Sequence, residues 1–290
     1  MTSFDDFMKS AWKDHADNAD QVAARLAESG HVIENAGQIP RYAGLVTHVY
    51  GEHLGQWPRG VEVLQSLRRL HDAELNTDAC GAITRGVAAL RYGGGDTAAL
   101  EALNIDDRTS VLATVSSAML GQKNLVAAVT TFDAALDQAR HGLATGSPAV
   151  RALAIGGNNL AAALEGKRDR TPAETAAMLR AAEAALQYWK QAGTWLEEVR
   201  AFYRLTRSLL QAGRYTAAAA AAQQCLDVCA RNDAPEFERF FGHAVLALAL
   251  RAAGDAAGFA AARARALASH ARVPADEQPW CSLELGELGA

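Results

Sequence analysis

Six short breaks, each built around a glycine, constrain the fold more than any other feature of this sequence. They read Leu54-Gly55-Gln56-Trp57, Gly94-Gly95-Asp96, Leu120-Gly121-Gln122-Lys123, Glu165-Gly166-Lys167, Ala212-Gly213-Arg214-Tyr215 and Ala253-Gly254-Asp255. Glycine enters the left-handed conformation without steric cost, so a glycine after an apolar run is the usual end of a helix. Between breaks, apolar residues recur at helical spacing, as in Phe202, Leu205 and Leu209, and in Phe241, Val245, Leu248 and Ala252. Alternation of β-branched residues bounded by turn residues is nearly missing. Glycines 55, 95, 121, 166, 213 and 254 are 40, 26, 45, 47 and 41 residues apart, and all but the second interval hold a full helix–turn–helix unit. The interval of 26 leaves room only for a truncated second helix, roughly Asp96 to Leu103.

Helix starts carry cap chemistry. Thr171-Pro172-Ala173-Glu174 and Thr194-Trp195-Leu196-Glu197 match the capping box, in which hydroxyl and carboxylate satisfy orphan backbone donors reciprocally, and Asp233-Ala234-Pro235-Glu236 reads as an aspartate-headed variant. Ser147-Pro148 and Trp57-Pro58 place proline at a first helical position, where its missing N–H costs nothing. The adjacent acids Asp5-Asp6 and Asp106-Asp107 sit at helix starts, where the dipole favours negative charge.

Composition narrows the function classes. Half of the 290 residues are hydrophobic but only 7% are aromatic, and alanine runs such as Ala217 to Ala222 favour helices crossing at short range. A net charge of −5 leaves no basic footprint for nucleic acid. No stretch approaches the ~18 apolar residues of a membrane helix. The acidic start, Met1-Thr2-Ser3-Phe4-Asp5-Asp6, is unlike a signal peptide. Cys80, Cys225, Cys229 and Cys281 have no framework spacing, which suits a reducing compartment, so a cytoplasmic protein is expected.

The segment from Ala201 through Ala230, an apolar helix followed by Gln211-Ala212-Gly213-Arg214-Tyr215 and an alanine-rich second helix, resembles the tetratricopeptide repeat (TPR) family. Leu120-Gly121-Gln122-Lys123-Asn124-Leu125 leading into Ala134-Ala135-Leu136 has the same layout. The period exceeds the family's usual repeat of about 34 residues, which is similar to the long-helix bacterial variety. The resemblance implies an all-α fold in which antiparallel helix pairs stack into a right-handed TPR-like α-solenoid. It divides the chain into N-terminal capping helices (1–36), a repeat array (37–273) of about six helix pairs with the one near Gly95 shortened, and an acidic tail (274–290). Phe4, Phe7, Met8 and Trp12 are the expected buried stripe of the capping helices. The tail, with Asp276, Glu277, Glu284 and Glu287, follows a helix bearing Arg251, Arg263, Arg265 and Arg272, so it either docks there or stays solvated.

The common catalytic constellations are missing. Gly93-Gly94-Gly95-Asp96 lacks the Lys-Ser/Thr of a phosphate-binding loop and reads as a helix terminator, and no Gly-x-Ser-x-Gly elbow occurs. His48 and Glu52 lie one helical turn apart, but His48 and His53 are five apart and splay across an α-helix, so no metal ligation is expected. Cys225 and Cys229 share a helical face without a second ligand pair and read as core. No catalytic residue, metal or cofactor is assigned.

In the family that the chain resembles, the first helix of each pair lines a concave wall against which peptides lie. Counting back from Gly213 and Gly166 places Arg200, Arg204 and Arg207 on one helical face, and Asn158 and Asn159 within Gly156-Gly157-Asn158-Asn159-Leu160. Asparagine can grip a peptide backbone with a donor and an acceptor, and arginines offer bidentate donors to carboxylates. The expected function is a scaffold or regulator that binds a partner protein or peptide, acidic in character, in a helical groove. Arginines paired with Glu197, Glu198 or the tail, and Gly156-Gly157 permitting a tight helix crossing, are the structural alternative. A ligand-sensing regulatory protein with a small-molecule pocket in the superhelix is the second functional reading, and an enzyme on a helical scaffold the third. A homo-oligomer is compatible with each.

Overall fold

The computed structural model describes residues 3–289, among which fourteen α-helices and no strand form. They divide into two compact units, Met1–Leu153 and Ala154–Ala290. None of the described helices is long and apolar enough to cross a membrane.

The first unit opens with α1 (Phe4–Asp14) and α2 (Ala19–Glu28), which pack Phe4, Phe7, Met8, Val22 and Leu26 around Ile39 and Tyr42 of α3 (Ile39–Thr47). The hydroxyls of Tyr42 and Tyr50 donate to the carbonyls of Leu26 (2.6 Å) and Ala23 (2.8 Å), so each buried ring has its polar tip satisfied. Trp12 departs from the expected stripe and is 45% exposed. Ala11, at i+7 from Phe4, takes the buried position in the last turn instead. After α3 follow α4 (Trp57–Leu67), α5 (Thr77–Gly93), α6 (Ile105–Gly121) and α7 (Leu125–Ala139). In place of a second helix after Gly95 stands a single 3₁₀ turn, Thr97–Leu100, as the short interval requires.

Helix α8 (Pro148–Gly166) carries the chain into the second unit, which continues with α9 (Pro172–Ala192), α10 (Trp195–Gln211), α11 (Tyr215–Arg231), α12 (Glu236–Ala252), α13 (Ala256–His270) and the short α14 (Ser282–Leu288). Both capping boxes form: the backbone N–H groups of Thr171 and Thr194 each donate to the glutamate three residues on, at 2.8 Å. Cys225 and Cys229 are buried in the α10–α11 core, as their shared face suggested. The Cys225 thiol donates to the Val199 carbonyl at 3.4 Å, and its hydrogen bonding with Cys229 together with burial keeps it protonated.

Three breaks are built differently from the sequence expectation. Gly95, Gly213 and Gly254 are left-handed, but at the third break that conformation falls to Lys123 (φ +59°). Gly121 has another reason to be glycine: a Cβ there would lie 2.2 Å from the Glu52 carbonyl oxygen. Asp233 (φ +46°) ends α11 rather than capping α12, because a left-handed residue cannot supply the extended backbone that an N-cap needs; Pro235 stands at that position and Asp233 accepts from Arg239 (2.7 Å). Gly166 is not left-handed. There the guanidinium of Arg170 donates to the carbonyls of Leu164 (2.7 Å) and Glu165 (2.9 Å), closing α8 with a side chain.

Replacing Gly121 with alanine is therefore expected to lower stability by about 1–3 kcal/mol, because backbone must move to admit the methyl. Gly166→Ala, which meets nothing within 4 Å, is expected to be neutral or to stabilise by about 0.4–1 kcal/mol; paired urea melts distinguish the two. His243 on α12 gives the second unit a pH dependence. Burial first, then the charge of Arg265, lowers its pKa, and its Nδ1 has no partner. The unfolded chain takes up this proton first, so stability should be constant above the unfolded value of about 6.5 and fall as the pH drops through it. His243→Phe should flatten that slope in urea melts run across this range.

Candidate functional site

Helix α10 buries Val199, Phe202, Thr206 and Leu209 on one side; Arg200, Tyr203, Arg204 and Arg207 lie on another, together with the buried Ser208. Each of the three arginines meets a carboxylate. Arg200 sends Nε and Nη2 to Glu238 Oε1 (3.1 and 2.6 Å); the guanidinium side is 60% exposed while Glu238 is nearly enclosed. Arg204 pairs with Glu165 Oε2 at 2.5 Å, and Ser208 Oγ donates to the other oxygen of that carboxylate at 2.6 Å. Arg207 grips both oxygens of Glu287, which lies on α14.

Around Arg207 the acidic tail is bound as a ligand would be. The Tyr203 hydroxyl donates to the buried carboxylate of Glu284. Burial, reinforced by the charge of Glu284, raises the Tyr203 pKa, so the phenol stays a donor. Arg251 donates to the Glu287 carbonyl (2.9 Å), and Arg263 donates to the carbonyls of Leu288 and Gly289 (each 2.9 Å), which places cations where the last carbonyls of a helix are unsatisfied. On the neighbouring face of α14 Leu285 and Leu288 enter an apolar cluster with Phe237, Phe240, Phe241 and Leu248. The tail docks, then, on α12 and on the polar face of α10, which are the first helices of successive pairs, as well as on α13.

Asn158 and Asn159 are half-buried on α8 and have no hydrogen-bonded side-chain partner among the described residues. Asn158 lies two turns before Glu165, so the α8 face that receives Arg204 is also the face of Asn158. Tyr203 was missed from sequence although it precedes Arg207 by one turn; the signal was present as a phenol one turn from a guanidinium, but not the acid that both would meet.

The first unit holds a second polar cluster, and here spacing misled. Beyond Thr47, α3 does not continue as an α-helix but widens into a π turn, His48–His53. In a π turn the backbone repeats at i to i+5, as in the Leu54 N–H to Val49 carbonyl bond (3.1 Å), so residues five apart stack instead of splaying. His48 and His53 therefore meet, with Nε2 atoms 3.1 Å apart, and His15, the residue that caps the C-terminal end of α1, joins them with its ring centroid 5.0 Å from each.

No family model matches the chain, and neither does any curated protein. Two solved structures are similar over most of their length: a protein described as a kinesin light chain of Podosopora anserina with nearly identical TPR-like repeats, and a single-residue variant of it. The first aligns with a TM-score of 0.51 and 15% identity over 82% of this chain and 98% of that chain, and the second does the same over 82% and 97%. The likeness shows the fold, an all-α TPR-like arrangement of helix pairs.

The Arg204–Glu165 pair is largely enclosed, so reversing one charge leaves two carboxylates face to face with little water to screen them. Arg204→Glu is expected to cost about 3–5 kcal/mol of stability. Arg200→Glu, on a largely exposed side chain, should cost clearly less; thermal melts of both variants check the order.

Proposed function

We propose that this chain of TPR-like fold is a protein-interaction module whose second unit grips an acidic, amphipathic helical segment along α10 and α12, and that α14 holds that position within the chain itself. The convergence of Tyr203, Arg207, Arg251 and Arg263 on one short acidic helix carries the reading. The docked sequence is Glu284-Leu285-Gly286-Glu287-Leu288, two Glu-Leu pairs three residues apart. That spacing puts both acids on one helical face toward the arginines and both leucines on the neighbouring face toward the phenylalanines. A partner of the same class would present acid and leucine at the same spacing. Arg200, largely exposed, and Asn158 and Asn159, which have no side-chain partner among the described residues, extend the surface beyond α14, whereas Arg204, held by a Glu165 carboxylate that Ser208 also anchors, supports the wall. All four cysteines are unpaired, in keeping with the reducing, cytoplasmic setting that we infer.

Deleting residues 275–290 and returning them as a labelled peptide tests this. The truncated chain should bind the peptide saturably, and the full chain at least roughly ten-fold more weakly because α14 competes. Arg207→Glu in the truncated chain, or lysine at both glutamates of the peptide, should weaken binding by about ten-fold or more. A truncated chain that keeps its helical circular dichroism yet shows no saturable binding would end the proposal.

A further inference from the structure

We propose that His15, His48 and His53 form a binding site for one zinc-class transition-metal ion, which ties α1 to the π turn of the first unit. One ligating nitrogen from each ring lies within 4.8 Å of the others. The Nε2 atoms of His48 and His53 are 3.1 Å apart, close to the roughly 3.3 Å that two imidazoles bound at about 2.0–2.1 Å subtend in a tetrahedral zinc site. His15 completes the set by a small ring movement.

Two of the three rings are already oriented as metal ligands are. His15 Nδ1 lies 2.6 Å from the Trp12 carbonyl oxygen, which can only accept, so Nδ1 carries the proton and Nε2 presents a lone pair. His48 Nδ1 lies 3.0 Å from Glu52 Oε2, which fixes the same tautomer. A carboxylate or a carbonyl on the distal nitrogen is the outer shell that metal-bound histidines characteristically have, and it raises ligand basicity. Glu52 is thereby committed to His48, so the donors are three nitrogens with a fourth position left to solvent or to a ligand. Three imidazoles favour zinc and its transition-metal neighbours over magnesium or calcium, which take oxygen donors.

The backbone that brings the rings together is held from outside. Gln122 Nε2 donates to the Gly51 and Glu52 carbonyls (3.1 and 2.9 Å), and Gly121 lets α6 approach that same carbonyl. Trp12, otherwise an anomalously exposed aromatic, covers the cluster, with ring centroids 5.0 Å from His15 and 5.3 Å from His48.

The test uses the full chain, stripped with EDTA and titrated with zinc chloride by calorimetry, and with cobalt(II) by visible absorption. One equivalent should bind, the cobalt form should show the intense d–d bands of a tetrahedral rather than an octahedral ion, and zinc should displace it. His15→Ala and His53→Ala should each weaken binding by at least ten-fold, Glu52→Gln by about 10–100-fold, and His31→Ala, on an exposed histidine of the same unit, should change nothing. Absence of stoichiometric zinc binding, retention of full affinity in His15→Ala, or an octahedral cobalt spectrum would overturn the site. Should a histidine variant melt, the cobalt spectrum of the unaltered chain and the Glu52→Gln affinity decide by themselves.

Discussion

The helix pairs depend on how each helix ends. At most breaks the chain makes one move: a residue turns left-handed, and the next N–H reaches back five residues to a carbonyl of the last turn. Asp96 bonds to Arg91, Asn124 to Met119, Arg214 to Leu209, Ala234 to Cys229 and Asp255 to Leu250, all within 2.8–3.0 Å. The residue that turns is glycine at 95, 213 and 254, but lysine at 123 and aspartate at 233. A left-handed residue other than glycine costs about 1–2 kcal/mol, and aspartate is among the few that enter the region routinely, so it is at Lys123 that the surrounding structure outweighs local preference. Beside the π turn Gly55 is left-handed too, but there the next N–H reaches back six residues, from Gln56 to Tyr50 (2.9 Å).

Features that depend on neighbours in sequence were legible. The capping boxes at Thr171 and Thr194, the truncated element after Gly95 and the shared burial of Cys225 and Cys229 all follow from residues within a few positions of one another. Two kinds of feature were not. Helical arithmetic assumes one period, and a single widened turn at His48–His53 reverses which residues are neighbours. The polar wall of α10 was visible as a face, but its partners lie 38, 39 and 80 residues away, at Glu238, Glu165 and Glu287. Nothing local distinguishes those acids from the other carboxylates of the chain. Trp12 combines both difficulties: it sits one position past the buried stripe and faces a cluster that only the π turn assembles.

Charge inside the second unit is organised in two ways. Glu165 and Glu238 meet arginines of α10 from helices of the body, and removing one partner of the largely enclosed Glu165–Arg204 pair strands a carboxylate where little water reaches. Glu284 and Glu287 meet the same face of α10 from the short helix α14, which follows an irregular stretch and is held by side chains of three helices. The first arrangement makes the wall rigid. The second uses that rigidity, since Tyr203 and Arg207 are presented by a helix whose own ends and sides are already satisfied.

The tether between α13 and α14 has a quantitative consequence. A segment joined to its binding surface by so few residues is present there at an effective concentration in the millimolar range. An external helix making equal contacts would thus fill half of the surfaces only near that concentration. Occupancy by an outside partner is governed by a threshold that the length of residues 271–281 sets, and contacts outside the footprint of α14 are what would let a partner cross it at ordinary cellular abundance.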